Sequence, residues 1–142
     1  MIRNILALSA FTGAVFAGGY WFGAARTAEA DAHRVFELRT YHCNEGKLPN
    51  LLARFRNHTM TIFERHGMTN IGYWVPMDEP ASTDTLTYLL AFQDREAAKK
   101  SWDAFRNDPE WKRVQAESEK DGKIVNKVDS TFLTPTDFSQ IK

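Results

Sequence analysis

Residues 35–66 read VFELRTYHCNEGKLPNLLARFRNHTMTIFERH, and the change of period within this stretch decides the fold. From Val35 to Tyr41 the residues alternate as they do in a strand with two unlike faces. Phe36, Leu38 and Thr40 share one face, and Val35, Glu37, Arg39 and Tyr41 share the other. The first face is the more apolar, so it is expected under a helix layer, with the semi-polar second face on the open side of a sheet. Asn44-Glu45-Gly46 breaks the alternation. From Lys47 to His66 the spacing turns helical: Leu48, Leu51, Leu52, Phe55 and Ile62 fall in one stripe, with His58, Thr59 and His66 in or beside it. Pro49 is tolerated in the first turn, and Gly67 is a stop signal.

Beyond this unit the pattern repeats once. Met68 to Val75 predicts a second strand, closed by Pro76, and 77–84 a polar loop. Thr85 to Phe92 predicts a third strand, with Leu86, Tyr88, Leu90 and Phe92 on one side and Leu89 on the other. Asp94 is placed to cap a helix carrying Ala98, Trp102 and Phe105 on one stripe. At Asp108-Pro109-Glu110 a helix restarts, with a capping carboxylate and a proline in the first helical position, and it carries Trp111 and Val114. A last strand follows from Lys123 to Leu133. The order β-α-β-β-α-β is the split βαβ or ferredoxin-like motif: an α+β fold whose four antiparallel strands carry helices on one face. The uncovered face would then show Val35, Tyr41 and aliphatics such as Leu89 or Leu90. Apolar area on that scale is expected to be buried against a second copy, as a two-fold homodimer.

The 142 residues hold one domain of ordinary size, and 18 Lys+Arg balance 18 Asp+Glu. No basic excess is available to neutralise phosphates, so no nucleic-acid partner is expected. A single cysteine, Cys43, excludes an intrachain disulfide and any CxxC site. Residues 1–30 stand apart. Arg3 precedes the uncharged run ILALSAFTGAVFAGGYWFGAA (5–25), and small-x-small cleavage patterns occur at Val15-Phe16-Ala17 and Ala28-Glu29-Ala30. The run reads equally as a cleaved export signal and as an N-terminal membrane anchor, with Tyr20-Trp21 suited to the interface. In a bacterium either option puts residues 31–142 outside the cytoplasm, periplasmic, secreted or anchored. A mitochondrial address is the third option, for a eukaryotic host. The membrane is then met only through residues 5–25.

The stretch VFELRTYHCNEGKLPNLLARFRNHTMTIFERHGMTNIGYWVP, followed in order by LTYLLAFQDREAAKKSWDAFRNDPEWKRVQAESEKDGKIV, resembles the NIPSNAP family, a branch of the dimeric α/β-barrel superfamily. The resemblance runs from Val35 to about Pro135. It implies a homodimer of ferredoxin-like units whose sheets face each other across a barrel. It implies no settled reaction. Related barrels include monooxygenases, isomerases and haem-dependent enzymes, but a shared fold does not transfer those activities, and no residue set here matches theirs one by one.

Several residues carry chemistry that can be stated in advance. His58, on the apolar stripe between Phe55 and Ile62, reads either as a general base or ligand in a cavity between helix and sheet, or as a buried ring satisfied by one hydrogen bond. Glu37, Arg39 and Tyr41 share the face assigned to the barrel interior. They read either as a polar floor, with Arg39 anchoring and Tyr41 donating to a small anionic or carbonyl ligand, or as an ion pair that sets dimer register. The candidate catalytic set is therefore His58, Tyr41 and Arg39, and the candidate binding set Glu37, Arg39, Tyr41, His58 and Trp74. Tyr73, Trp102, Phe105 and Trp111 read as pocket lining or as plain core. His42 and His66, with Glu45 or Glu64, offer ligand atom types without HxH or HExxH spacing, so no metal site is expected. No phosphate loop or GxSxG elbow occurs, and no cofactor is expected. Three functions follow: a homodimeric barrel binding a small hydrophobic or carbonyl-bearing molecule without established catalysis, a cofactor-independent monooxygenase- or isomerase-like enzyme, and a protein-interaction module at a membrane.

Overall fold

The structure, a computed structural model, describes residues 34–142, so the readings made for residues 1–30 lie outside the described residues. Strand β1 (Val35–Cys43) leads into helix α1, which runs as Leu48–Arg54, a π turn Phe55–Thr59 and a final segment Met60–Arg65. Then follow β2 (Thr69–Trp74), a short helix α2 (Ala81–Asp84) within the expected loop, and β3 (Thr85–Phe92). Helices α3 (Arg95–Asn107) and α4 (Pro109–Ser118) precede β4 (Val125–Leu133). The sheet order is β2-β3-β1-β4, antiparallel throughout, as the ferredoxin-like reading requires.

Pairing between β1 and β3 determines which face each residue of β1 presents. Leu86, Tyr88, Leu90 and Phe92 form the most apolar strand face in the chain and are all buried under the helices. In the antiparallel register their partners are Tyr41, Arg39, Glu37 and Val35. Opposed residues in a ladder point to the same side, so those four must also face the helices. This corrects the expectation drawn from β1 alone. Glu37, Arg39 and Tyr41 lie beneath the helix layer, and Phe36, Leu38, Thr40 and His42 lie on the open face. Of the aliphatics expected in the open, Leu89 is there, while Leu90 is fully buried on the opposite side.

The second correction concerns α1. The π turn adds one residue to the helix and rotates everything after Phe55 relative to an ideal α-helical stripe. Phe55, Thr59, Ile62 and Phe63 become the buried residues, and the Thr59 hydroxyl donates to the Arg54 carbonyl at 3.2 Å. His58 is turned off the core stripe. Phe63, absent from the expected stripe, packs against Phe55, Trp102 and Phe105.

Both expected caps are present. Asp94 accepts from the Ala97 amide at 2.7 Å, and Asp108 Oδ1 accepts from the amides of Glu110 and Trp111 at 2.7 and 3.2 Å. Asp108 also holds the end of α1: its Oδ2 lies 2.7 Å from Arg65 Nη2 and 2.6 Å from His66 Nε2. His66 is thus engaged by a carboxylate. Among the described residues no group of three or more His, Cys, Asp or Glu is arranged for a metal ion. Hydrogen bonds from Arg65, then from His66, hold the Asp108 carboxyl well below the usual carboxylate range, against the opposing effect of burial. Because its folded value is depressed, the stability it contributes is present above the unfolded carboxylate pKa and is lost as pH falls towards the folded value. Asp108→Asn is expected to lower stability at neutral pH and to flatten its acid limb below about pH 4. Urea unfolding of parent and variant between neutral pH and the acid limit measures this, and parallel curves at every pH would contradict it.

Candidate functional site

The structure brings Glu37, Arg39 and Tyr41 together but separates them from His58 and Trp74. Under the helices, Glu37 is 1% exposed and receives three hydrogen bonds. Arg39 Nη1 and Ser130 Oγ each donate to Oε1 at 2.6 Å, and Trp102 Nε1 donates to Oε2 at 2.6 Å. The Arg39 guanidinium lies over the Trp102 ring, 4.2 Å from its centroid, and over Tyr41 at 5.6 Å. Burial works against the charge on Arg39, and the neighbouring Tyr88, Tyr41 and Glu37 outweigh it, holding the guanidinium above its ordinary value.

Beside this pair, Tyr41 meets Tyr88 edge-on, and Tyr88 stacks on Tyr73. Burial, with Tyr41 next, drives the Tyr88 phenol well above its ordinary value, so it stays neutral. Its hydroxyl and Arg39 Nε are both buried without a hydrogen-bond partner among the described residues. Three donors already occupy Glu37, and a general base needs a lone pair within reach of a substrate proton. The layer is therefore built as a structural ion pair inside an aromatic core. Trp102 and Ser130, which complete it, lie 65 and 93 residues from Glu37, and no spacing rule joins them. Glu37→Ala leaves Arg39 and the indole N–H without their partner and is expected to cost about 3–5 kcal/mol in urea unfolding. A loss below about 1 kcal/mol, the value of an exposed pair, would contradict the structural role.

His58 lies half-buried in a groove of about 230 Å³ between α1 and α4, lined also by Asn57, Arg54, Val114 and Ser118. The buried Arg54 guanidinium closes this groove: Nη1 donates to Ser118 Oγ and Glu119 Oε1 at 3.2 and 3.3 Å. This is the outer side of α1, away from the sheet, so His58 and the Glu37–Arg39 layer cannot act on one substrate atom. His58→Ala is expected to change stability by about 0.5 kcal/mol or less. A denaturation midpoint displaced well beyond that would place the ring in the core after all.

Cys43 is buried, and its thiol is pushed up to about 11, first by burial and then by the Asp84 charge. It is a protonated core residue at neutral pH.

The open face runs from polar to apolar. At one end His42 Nε2 lies 3.0 Å from Asp129, which Lys127 also contacts. Towards the other end lie Leu38, Leu89, Phe36 and Leu133, and Trp74, 53% exposed, lays its indole over Gly72. A side chain at Gly72 would meet that ring at 2.5 Å, so the glycine is what lets the indole lie flat there. Residues 134–142 leave β4 and fold back over the apolar end. They enclose a hollow of about 470 Å³ whose apolar walls are Phe36, Leu89, Leu133, Pro135 and Ile141. Its size and lining are those of a small-molecule pocket, whereas the His58 groove falls below the usual range. The sequence reading did not anticipate the hollow, since the tail forming its roof has no periodicity.

This architecture defines a ferredoxin-like α+β domain with helices on one face of the sheet and, on the other, a face that runs from polar to apolar and is crossed at its apolar end by residues 134–142. The chain belongs to the NIPSNAP family, whose profile matches residues 36–140. A NIPSNAP family protein from Agrobacterium tumefaciens superposes with TM-score 0.67 at 21% identity, covering 78% of this chain and 100% of its own. A NIPSNAP-like domain protein from Burkholderia xenovorans gives TM-score 0.66 at 18% identity, over 76% of this chain and 90% of its own. SnoaB, a cofactor-independent oxygenase from Streptomyces nogalater, shares the fold at TM-score 0.52 and 10% identity, over 77% of this chain and 99% of its own. No curated protein matches the chain.

Proposed function

We propose that this NIPSNAP domain works outside the cytoplasm as a homodimeric barrel that binds a small, mainly apolar molecule between its sheets. The observation that carries the reading is the open face itself. Leu38, Trp74 and Leu133 are each at least one-third exposed, and they lie on the same side as Leu89 and Phe36. A soluble monomer rarely leaves so much apolar surface together in water, and a second copy related by a two-fold axis covers the exposed Leu38 and Trp74, beside the end that residues 134–142 cross, with the same residues. The hollow beside Phe36 and Leu89 would then open into the space between the sheets. The export part rests on the leader pattern at 3–30, with Ile5–Ala25 as signal or anchor. Among the described residues no helix is long and apolar enough to cross a membrane.

Two observations favour binding over a monooxygenase- or isomerase-like reaction. Glu37, Arg39 and Tyr41 are committed to one another and to Trp102 and Ser130, and His58 opens to a different surface. Resemblance to SnoaB is one of fold and brings no residue set with it.

Native mass spectrometry of the full chain recovered from its own host tests all parts together. It is expected to give a dimer, a mass that fixes whether the leader is removed, and a retained small molecule. Leu38→Asp puts a charge into the pairing face and is expected to shift the sedimenting species to monomer at micromolar concentration. A parent that is monomeric at that concentration, or a variant that dimerises as firmly as the parent, would overturn the pairing.

A further inference from the structure

The hollow on the open face has an unusual roof. Residues 134–142 contain no helix or strand, and most of their hydrogen bonds are internal. The Ser139 amide donates to the Thr136 carbonyl at 3.1 Å, the Ser139 hydroxyl to the Ile141 carbonyl at 2.6 Å, and Lys142 Nζ to the Asp137 carbonyl at 2.7 Å. The far end of the tail is tied to the body through Arg34, whose Nη1 donates to the Lys142 carbonyl at 3.1 Å. Arg34 in turn stands over the Phe36 ring, 5.5 Å from its centroid, at the floor of the hollow. This stretch therefore leaves β4 at Leu133, has an exposed polar tie at Lys142, and makes apolar contact in between. A segment held in this way lifts at low cost compared with any strand beneath it.

The lining identifies what the space can take. None of its lining residues is ionisable, and the nearby Arg34 guanidinium is engaged with the Lys142 carbonyl; the polar groups are the hydroxyls of Thr134, Thr136 and Ser139 and the amide of Gln140, all on the roof. Floor and walls are hydrocarbon and aromatic. A charged group placed there would lose its hydration with nothing to pair with, whereas one or two neutral hydrogen-bonding groups would meet the roof. A second copy's sheet is not the occupant, because the protein's own tail already crosses this end of the face.

We infer that residues 134–142 are a lifting roof, latched by Arg34, over a binding site for an uncharged, mainly apolar small molecule. The inference rests on the reading of the open face as a small-molecule site, and adds the ligand's charge class and the element that controls its release. The latch slows escape by holding Ile141 and Pro135 over the ligand. The polar roof orients the ligand's neutral hydrogen-bonding group towards solvent and its apolar body towards Phe36 and Leu89.

The test uses the full chain with two naphthalene probes, uncharged N-phenyl-1-naphthylamine and its sulfonated relative anilinonaphthalene sulfonate. The intact protein is expected to hold the uncharged probe at least about tenfold more tightly, since no lining residue carries a charge to meet the sulfonate and Arg34 is held by the Lys142 carbonyl. A chain stopped after Leu133, and separately Arg34→Ala, are expected to release it about fivefold faster or more in stopped-flow displacement, because loss of a closing element acts on the dissociation rate. Leu89→Trp, which fills the floor and leaves residues 1–33 intact, is expected to abolish binding. Release as slow from both the shortened chain and Arg34→Ala as from the parent would overturn the roof while leaving the site. Equal affinity for the sulfonate would overturn the charge class. No binding by the parent, or undiminished binding by Leu89→Trp, would overturn the small-molecule reading beneath both. Should the shortened chain fail to fold by circular dichroism, Arg34→Ala alone decides the roof.

Discussion

Everything in this domain depends on the contact between the Leu86-Tyr88-Leu90-Phe92 face of β3 and the helices. That face gains most from leaving water, so it sets the orientation of the sheet under α1 and α3. Because β1 lies beside β3 in a fixed antiparallel register, its own residues have no independent choice of side. Glu37 and Arg39 are carried under the helices although neither belongs there by polarity, Leu38 is left exposed on the other face, and Phe36 on that face is buried only beneath residues 134–142. The cost of the buried charges is offset locally, by pairing with each other and by Trp102 and Ser130. The apolar open face is the other consequence of the same constraint.

The helix layer is adjusted to this sheet by two devices. The π turn at Phe55–Thr59 brings both Phe55 and Phe63 onto the aromatic cluster around Tyr88, which a regular helix of the same length would not do. Asp108 then ties the end of α1 to the start of α4 with one carboxylate, capping one helix while pairing with Arg65 and His66 of the other. Residues that look like candidates for chemistry, such as His66 and Glu37, are thereby taken up by structure.

Beyond these pairs, the open face presents shape and hydrophobicity. A fold shared with oxygenases at 10% identity supplies a scaffold, and the active chemistry of such scaffolds resides in particular side chains. In the hollow on the open face the lining side chains are neutral, and they belong to a sheet floor and to residues 134–141. The binding reading proposed above rests on that lining.

The amino-acid sequence by itself determined the order of the main elements, the two capping carboxylates, which β3 residues share a face, and the family, because each is written in neighbouring residues: a period of two, a period near four, a cap before a helix. It did not determine the face of β1, the rotation of His58 or the hollow. Both faces of β1 carry mixed residues, so its own pattern is ambiguous, and only pairing with a distant strand resolves it. The π turn is an insertion within an otherwise regular helix and leaves no signature in spacing. The hollow joins Phe36 to Leu89 and both to Ile141, residues brought together by sheet register and a returning tail. Local free energies select the elements, but the side each residue finally shows is decided by which partner gains most from burial, and that is a property of the assembled fold.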